Sequence, residues 1–470
     1  MAEPRPARLP AWKRGRPAGL TALAAVVVSA VSAAVSVCDV ALADGPAVWS
    51  TPAVVVGSTR PAGSLPTSGP GVLQLGFTPT GLGVVSLPAG GLVIPLPPAK
   101  PSEDLGTLSA PIVGDSVGPA SRLSARTVLH LVTVGPDSVL AALSPIGSST
   151  RPVVAEGPIG GALGRVETIG QPGQSIKALV ADARGDVAAL LESCAPGGGH
   201  CGRHHLSVAV RLAGGRFAKP SLLAGSAGSV TPGLAIGPTG DVLVAWVART
   251  GSSRHVFARL RFVSGRVGPA QLLGPTLDEG SIAPVLGAGD SAIVGWSSAS
   301  YGLDGAGSPA TFRIAIAGEG GRFRSVHTLD SWNVPGTYTP APIYVVSTPD
   351  GAGLVAWQGH TAAGFDVAVA RVVGVEVLPP ELSPPGGDAT LEGLAAGPHG
   401  ASIVVWSEGG DLEAGSAPPT QPLTGPELVA GGGAGVYGVS AAFDPVTGRP
   451  LVAWYGSDEQ SVEYSVRSPI

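Results

Sequence analysis

The chain has 470 residues, 13% of them charged, with a formal net charge of −5 and a mean hydropathy of +0.34. That balance excludes a basic nucleic-acid-binding surface, and so apolar a composition excludes a disordered chain in favour of many buried short segments. Aromatic residues make up only 5%, too few for the girdles of an outer-membrane barrel, and the 71 glycines and 46 prolines punctuate Val, Leu and Ala runs rather than forming a tract.

Residues 1–43 stand apart. Arg5, Arg8, Lys13, Arg14 and Arg16 precede an apolar run over residues 18–37, and Ala41-Leu42-Ala43 places small residues at both cleavage positions. This order predicts a secretory signal peptide and a secreted, extracellular protein. The run is also long enough to span a bilayer, so the alternative is an N-terminal membrane anchor. Cleavage after Ala43 removes five of 28 basic and two of 33 acidic residues and brings the net charge near −8, which again leaves nucleic acid out as a partner.

The next element is residues 49–56, in which Trp49 and Pro52 precede an apolar Ala53-Val54-Val55-Val56 run. Eight similar windows follow, each a turn leading into an apolar run: residues 81–87, 137–143 and 185–191, which end in Leu87, Leu143 and Leu191, and residues 240–246, 290–296, 351–357, 400–406 and 448–454, which end in Trp246, Trp296, Trp357, Trp406 and Trp454. The tryptophans lie 50, 61, 49 and 48 residues apart. Internal repeats of this length identify propellers and related arrays.

Upstream of each window lies another short apolar run and a tight turn, as in Leu234-Ala235-Ile236-Gly237-Pro238-Thr239-Gly240, the pattern of a hairpin. Downstream comes a third alternating run, residues 206–212, 256–262, 312–317 and 367–373, then a fourth with Pro ahead of Leu or Val, residues 217–223, 267–273 and 423–429. Four strands per repeat predict an all-β fold: a single β-propeller of four-stranded blades over residues 44–470, eight blades or, with the Pro-rich first unit discounted, seven. The last unit, residues 436–470, holds three strands, so residues 49–56 supply its fourth and close the ring. Tandem sandwiches would need a longer repeat and a β-solenoid a shorter one. Both faces of the Trp-ended runs are apolar, which assigns the tryptophans to packing between neighbouring blades.

The segment Thr348-Pro349-Asp350-Gly351-Ala352-Gly353-Leu354-Val355-Ala356-Trp357 resembles the Pro-Asp-Gly turn of secreted bacterial propellers of the TolB type, a WD40-like repeat architecture. The resemblance implies fold and compartment, and such scaffolds carry binding modules and hydrolases alike.

Chemistry is sparse. No Ser-x-Asp-x-Gly-x-Thr-Trp box is present, and no catalytic residue, cofactor or metal ligand is assigned. Gly114-Asp115-Ser116-Val117-Gly118 matches a nucleophile elbow in letters, but Pro119 follows where a helix is required. Loop acids Asp278, Glu279, Asp304, Asp366, Glu408, Asp458 and Glu459 are the candidates for a glycosidase pair. His200, His204, His205 and His255 fall after second strands beside Cys194 and Cys201, which suits zinc or copper. In an oxidising compartment a disulfide between Cys194 and Cys201 removes those thiolates and closes a Gly-rich loop. The expectation is a monomeric, non-enzymatic binding module for a protein, glycan or envelope component. It would act on the face formed by the second-to-third-strand loops, residues 193–205 and 297–309. The alternative is a glycan-active hydrolase or lyase.

Overall fold

The computed structural model describes residues 48–55, 73–88, 106–144, 151–197, 200–226, 231–277, 280–287, 291–299, 308–318, 320–334, 342–348, 351–362, 364–382, 388–418, 421–431, 437–456 and 461–468. The predicted signal segment lies outside them. In chain order, β1 (Ala53–Val54) precedes blade 1, made of β2 (Gln74–Phe77), β3 (Leu82–Pro88), β4 (Thr107–Val113), β5 (Ser116–Val117) and β6 (Ser121–Ser124). Blade 2 is β7 (Val128–Val134), β8 (Ser138–Leu143), β9 (Val153–Pro158) and β10 (Arg165–Thr168), and blade 3 is β11 (Gln174–Ala181), β12 (Val187–Gly197), β13 (His200–Arg211) and β14 (Ser221–Ser226). Blade 4 holds β15 (Pro232–Ile236), β16 (Val242–Thr250), β17 (Ser253–Arg261) and β18 (Gln271–Thr276); blade 5 holds β19 (Ile282–Leu286), β20 (Ala292–Ala299), β21 (Ser308–Ala317) and β22 (Phe323–Val334). Blade 6 comprises β23 (Tyr344–Ser347), β24 (Gly353–Thr361), β25 (Gly364–Val373), β26 (Glu376–Val377) and β27 (Glu381–Leu382). Blade 7 comprises β28 (Thr390–Ala396), β29 (Ser402–Glu408), β30 (Asp411–Ala417) and β31 (Thr424–Ala430), and blade 8 comprises β32 (Tyr437–Phe443), β33 (Pro450–Tyr455) and β34 (Val462–Val466).

Within each blade the strands pair antiparallel in the order a, b, c, d, and blade 8 takes β1 as its d strand, so the ring has eight blades. The first strands of successive blades touch one another all the way round, β32 meeting β2, and so form the inner wall. Among the described residues the only helical element is a 3-10 turn at Pro398–Gly400, and no helix is long and apolar enough to cross a membrane.

The glycine that opens six of the windows explains the a-to-b turn. Gly81, Gly185, Gly240, Gly351, Gly400 and Gly448 all have φ between +68° and +86°, a conformation that costs any other residue about 1–2 kcal/mol. Strand b that follows is buried on both faces, and its last large residue points to the preceding blade. Trp246 packs with Leu190 and Leu223 of blade 3, Trp296 with Leu260 and Leu273 of blade 4, and Trp454 with Leu412 and Val429 of blade 7. Leu87, Leu143 and Leu191 fill the same place in blades 1 to 3. Polar ties reinforce these seams: buried Arg211 donates to Glu156 at 3.0 Å, and buried Arg467 holds Glu427 at 2.6 and 2.7 Å.

Ring closure is as the sequence indicates. Ala53 pairs with Tyr464 and Val54 with Glu463, Trp49 bridges Arg467, and the Ser50 and Val55 amides donate to Val466 and Val462 at 2.8 Å each. Trp49 and Val55 are both buried there.

The outer strands carry a feature the sequence pattern does not announce. A β-bulge recurs at Leu123, Leu223, Leu273, Leu329 and Val429, where the register to strand c skips one residue. At these positions Leu223, Leu273 and Val429 go inward, while Leu222, Leu272 and Leu428 are exposed, the ordinary alternation of consecutive strand residues.

Candidate functional site

All eight inner strands run in the same direction because every blade repeats the same up-and-down order. Their first residues therefore gather at one end of the ring, together with the b-to-c and d-to-a connections. Four of them are distorted at that end, one being β32, whose register shifts between Tyr437 and Ser440. The register skips Leu129 in β7, Lys177 in β11 and Glu392 in β28, so each of these strands has one residue more than its partner. A bulge re-aims the side chain it carries, and it places charge on a wall that alternation alone would keep apolar.

On the blade 2 and 3 side, Lys177 lies between buried Ile176 and half-buried Ala178 yet is 40% exposed itself. Its Nζ is 2.8 Å from Glu192 Oε2, and the other carboxylate oxygen accepts a hydrogen bond from His204 Nδ1 at 2.5 Å. Glu192 is thus a hub joining strands a, b and c. His130 stands beside this group. Burial, with the Lys177 charge nearby, lowers its pKa to about 4, and its Nε2 meets no partner. It is neutral at neutral pH and holds one unspent hydrogen-bonding atom.

Blades 6 and 7 lie four steps around an eight-membered ring from blades 2 and 3, on the opposite side of the axis. Here the Tyr344 hydroxyl donates to the Glu392 carbonyl at 2.9 Å, and the Glu392 carboxyl accepts from Ser407 Oγ at 3.1 Å. Burial raises the Glu392 pKa, outweighing the Ser407 hydrogen bond, and burial with the Glu392 charge pushes Tyr344 up to about 12. A cation beside a neutral imidazole on blades 2 and 3, and a carboxyl beside a phenol on blades 6 and 7, thus occupy opposite sides of the ring. His130 is neutral and Tyr344 keeps its proton at neutral pH, while burial favours the protonated form of Glu392. As a set of hydrogen-bonding groups fixed on strands, these are well suited to holding a polar ligand.

The residues singled out from sequence are distributed differently. Cys194 and Cys201 fall on paired strands β12 and β13, with Cys194 opposite His204 and Cys201 opposite Pro196. The expected loop over residues 193–205 is instead mostly hairpin, because the backbone groups of this Gly-rich stretch pair with each other and continue the ladder to Gly197 and His200. The side chains of His200 and Cys201 lie outside the described residues. His204 is committed to Glu192, and among the described residues no three His, Cys, Asp or Glu side chains converge on a metal position.

Asp278, Glu279, Asp304, Asp458 and Glu459 lie outside the described residues. Asp366 is 1% exposed in β25, with one oxygen meeting no donor, and Glu408 sits opposite Asp411 across a hairpin turn. Ser116 of the Gly-x-Ser-x-Gly sequence follows a tight turn between β4 and β5, and neighbouring Asp115 pairs with Arg449 at 3.1 Å. A strand-to-strand turn provides no helix N-terminus for an elbow. Sequence reasoning did not find Lys177, His130, Tyr344 or Glu392; their only signal was a charged or polar side chain within an otherwise apolar first strand.

Eight blades closed into a ring define a β-propeller. No protein-family model matches the chain and no curated protein is similar to it. Among solved structures, the polysaccharide lyase Uly1 aligns with a TM-score of 0.40 at 11% identity, over 72% of this chain and 89% of that one. A prolyl endopeptidase aligns at 0.45 and 15%, over 82% of this chain and 54% of that one. A puromycin-hydrolyzing peptidase of Mycobacterium tuberculosis gives 0.43 and 15%, over 84% and 61%. The chain thus spans little more than half the length of the two peptidases. The architecture rests on the strand order described above, and these likenesses carry no argument about chemistry.

Proposed function

We propose that this protein is a secreted, monomeric, non-enzymatic propeller that binds a protein, glycan or envelope component on the face where the inner strands begin. The observation that carries this reading is the placement of Lys177 and His130 on blades 2 and 3 and of Tyr344 and Glu392 on blades 6 and 7, at the end of the ring where the inner strands begin. These groups are held by bulged strands, and His130 and Tyr344 are neutral at neutral pH, which suits hydrogen bonding. The turn around Thr348 and Gly351 supports kinship with secreted bacterial propellers of the TolB type. The neighbouring positions of Cys194 and Cys201 near the tip of the blade 3 hairpin support a disulfide there, which intact mass before and after reduction and alkylation detects. Export is tested by the N-terminal sequence of the protein recovered outside the cell.

Binding is tested by titrating the purified protein with envelope polysaccharide and glycan oligomers, beside Lys177→Ala and Glu392→Gln variants. A loss of affinity of about tenfold or more in either variant, with the fold intact, is expected for two charge-assisted contacts. Turnover of any oligomer that Glu392→Gln abolishes would overturn the non-enzymatic reading.

A further inference from the structure

One tryptophan does not obey the repeat. Taking the c-strand residue opposite each b-strand end as reference (Ser207, Phe257, Arg313), the residue three earlier pairs in strand d with Ser226 in blade 3, Thr276 in blade 4 and Trp332 in blade 5. Packing between blades is satisfied by a small residue at this position elsewhere, so the repeat does not require an indole. Strand β22 is also long, 12 residues against 6 in β14 and β18, and it ends on the same face as the polar inner-strand residues.

Around Trp332 the aromatic rings form a stack rising from core to solvent. Buried Phe312 lies under it at 5.4 Å with an interplanar angle of 19°, and exposed His360 lies over it at 5.6 Å and 17°. Phe365 meets His360 edge-on at 5.6 Å and 73°. An exposed imidazole normally samples several rotamers; this one is held by a ring beneath and a ring beside it, and its backbone N–H approaches Asp330 Oδ2 at 3.4 Å. Asp330 also accepts the Ser331 amide at 2.7 Å and keeps lone pairs to spare.

We propose that the Phe312–Trp332–His360 stack, with Asp330 at its edge, is a carbohydrate subsite that receives the flat C–H face of a β-linked hexopyranose unit. A pyranose with equatorial substituents presents axial C–H groups on one face and hydroxyls around its rim. A rigid ring flanked by a carboxylate meets both needs, with little ordering entropy left to lose on binding. The inference rests on the binding reading and names the ligand class for one subsite of that face.

The test is calorimetric titration with linear β-1,4 hexasaccharides of glucose, N-acetylglucosamine and xylose, and with an α-1,4 glucose hexamer as control. The expected result is saturable binding of at least one β-linked oligomer and none of the control. His360→Ala, an exposed change that leaves the fold intact, should weaken it about tenfold, the loss of one stacking contact. Trp332→Ala should abolish it, with Trp332→Tyr restoring most of it. Binding that His360→Ala leaves unchanged while Lys177→Ala removes it would overturn the stack and spare the binding reading. Absence of binding to every oligomer at millimolar concentration would overturn the stack as well, and a non-carbohydrate ligand lost in Lys177→Ala would still uphold the binding reading.

Discussion

His130 shows how much one buried side chain in an inner strand can reveal. Its pKa is about 4 in the folded protein and 6.5 when unfolded. Between those values the unfolded chain binds the extra proton and the native one does not, so the stability is present above pH ~6.5 and lost as pH falls toward ~4. A shift of that size corresponds to roughly 3 kcal/mol. Urea unfolding midpoints measured between pH 7 and 4 should fall in the wild type and fall less in His130→Gln. Parallel curves would show that His130 is solvated. No sequence signal distinguishes this histidine from the half-buried His205 or the ion-paired His204, because its burial depends on two blades that meet only in the ring. The cysteines and loop histidines drew notice because of their spacing; the inner-strand residues, dispersed over 263 positions from His130 to Tyr344 and Glu392 in separate repeats, have no spacing to notice.

Strand b was legible because its environment is uniform. It is buried on both faces, it follows a positive-φ glycine, and it ends in a large apolar residue that fills the seam to the preceding blade. Trp406 shows the construction: its ring packs against Leu354 and Val369 of blade 6, while its Nε1 donates to Glu413 Oε2 at 3.0 Å. Trp406→Ala should therefore cost about 3–5 kcal/mol, read as a lower denaturant midpoint, and a change under ~1 kcal/mol would contradict its placement. Strand d was harder to delimit because it mixes two patterns. Proline and exposed leucine suggest a loop, and Leu222-Leu223 and Leu272-Leu273 look like continuous apolar pairs when one member faces water and the other the core. The blade 3 hairpin misled in the opposite direction. Glycine and proline composition pointed to a loop at residues 193–205, yet pairing to a neighbouring strand overrides weak local preference.

At the scale of the whole ring, the eight-blade count and its closure followed from one displaced strand. Most of the site did not, since a propeller's axis is assembled from residues that no single repeat contains. Removing residues 48–55 takes Trp49 and Val55 out of the blade 7/8 and 8/1 clusters and uncovers the edge of β34. The loss should be at least about 5 kcal/mol, with light scattering revealing edge-to-edge association of the truncated chain. An unchanged unfolding midpoint would show that the ring holds without its closing strand.

The strand that closes the ring is also the first part of the propeller to leave the ribosome, and its partner β34 is the last. Some 415 residues separate Ser50 from Ser465, whose hydroxyls meet at 3.2 Å. During synthesis blades 1 to 7 can each form from local hairpins, but blade 8 must wait for both ends of the chain. Until then the first-made segment remains an unpaired strand bearing Trp49, and the final seam brings with it the loop-closure entropy of almost the entire molecule. Completion of the fold is therefore a single late event, and a chain stopped even a few residues short of Val466 would carry seven formed blades and no closed ring.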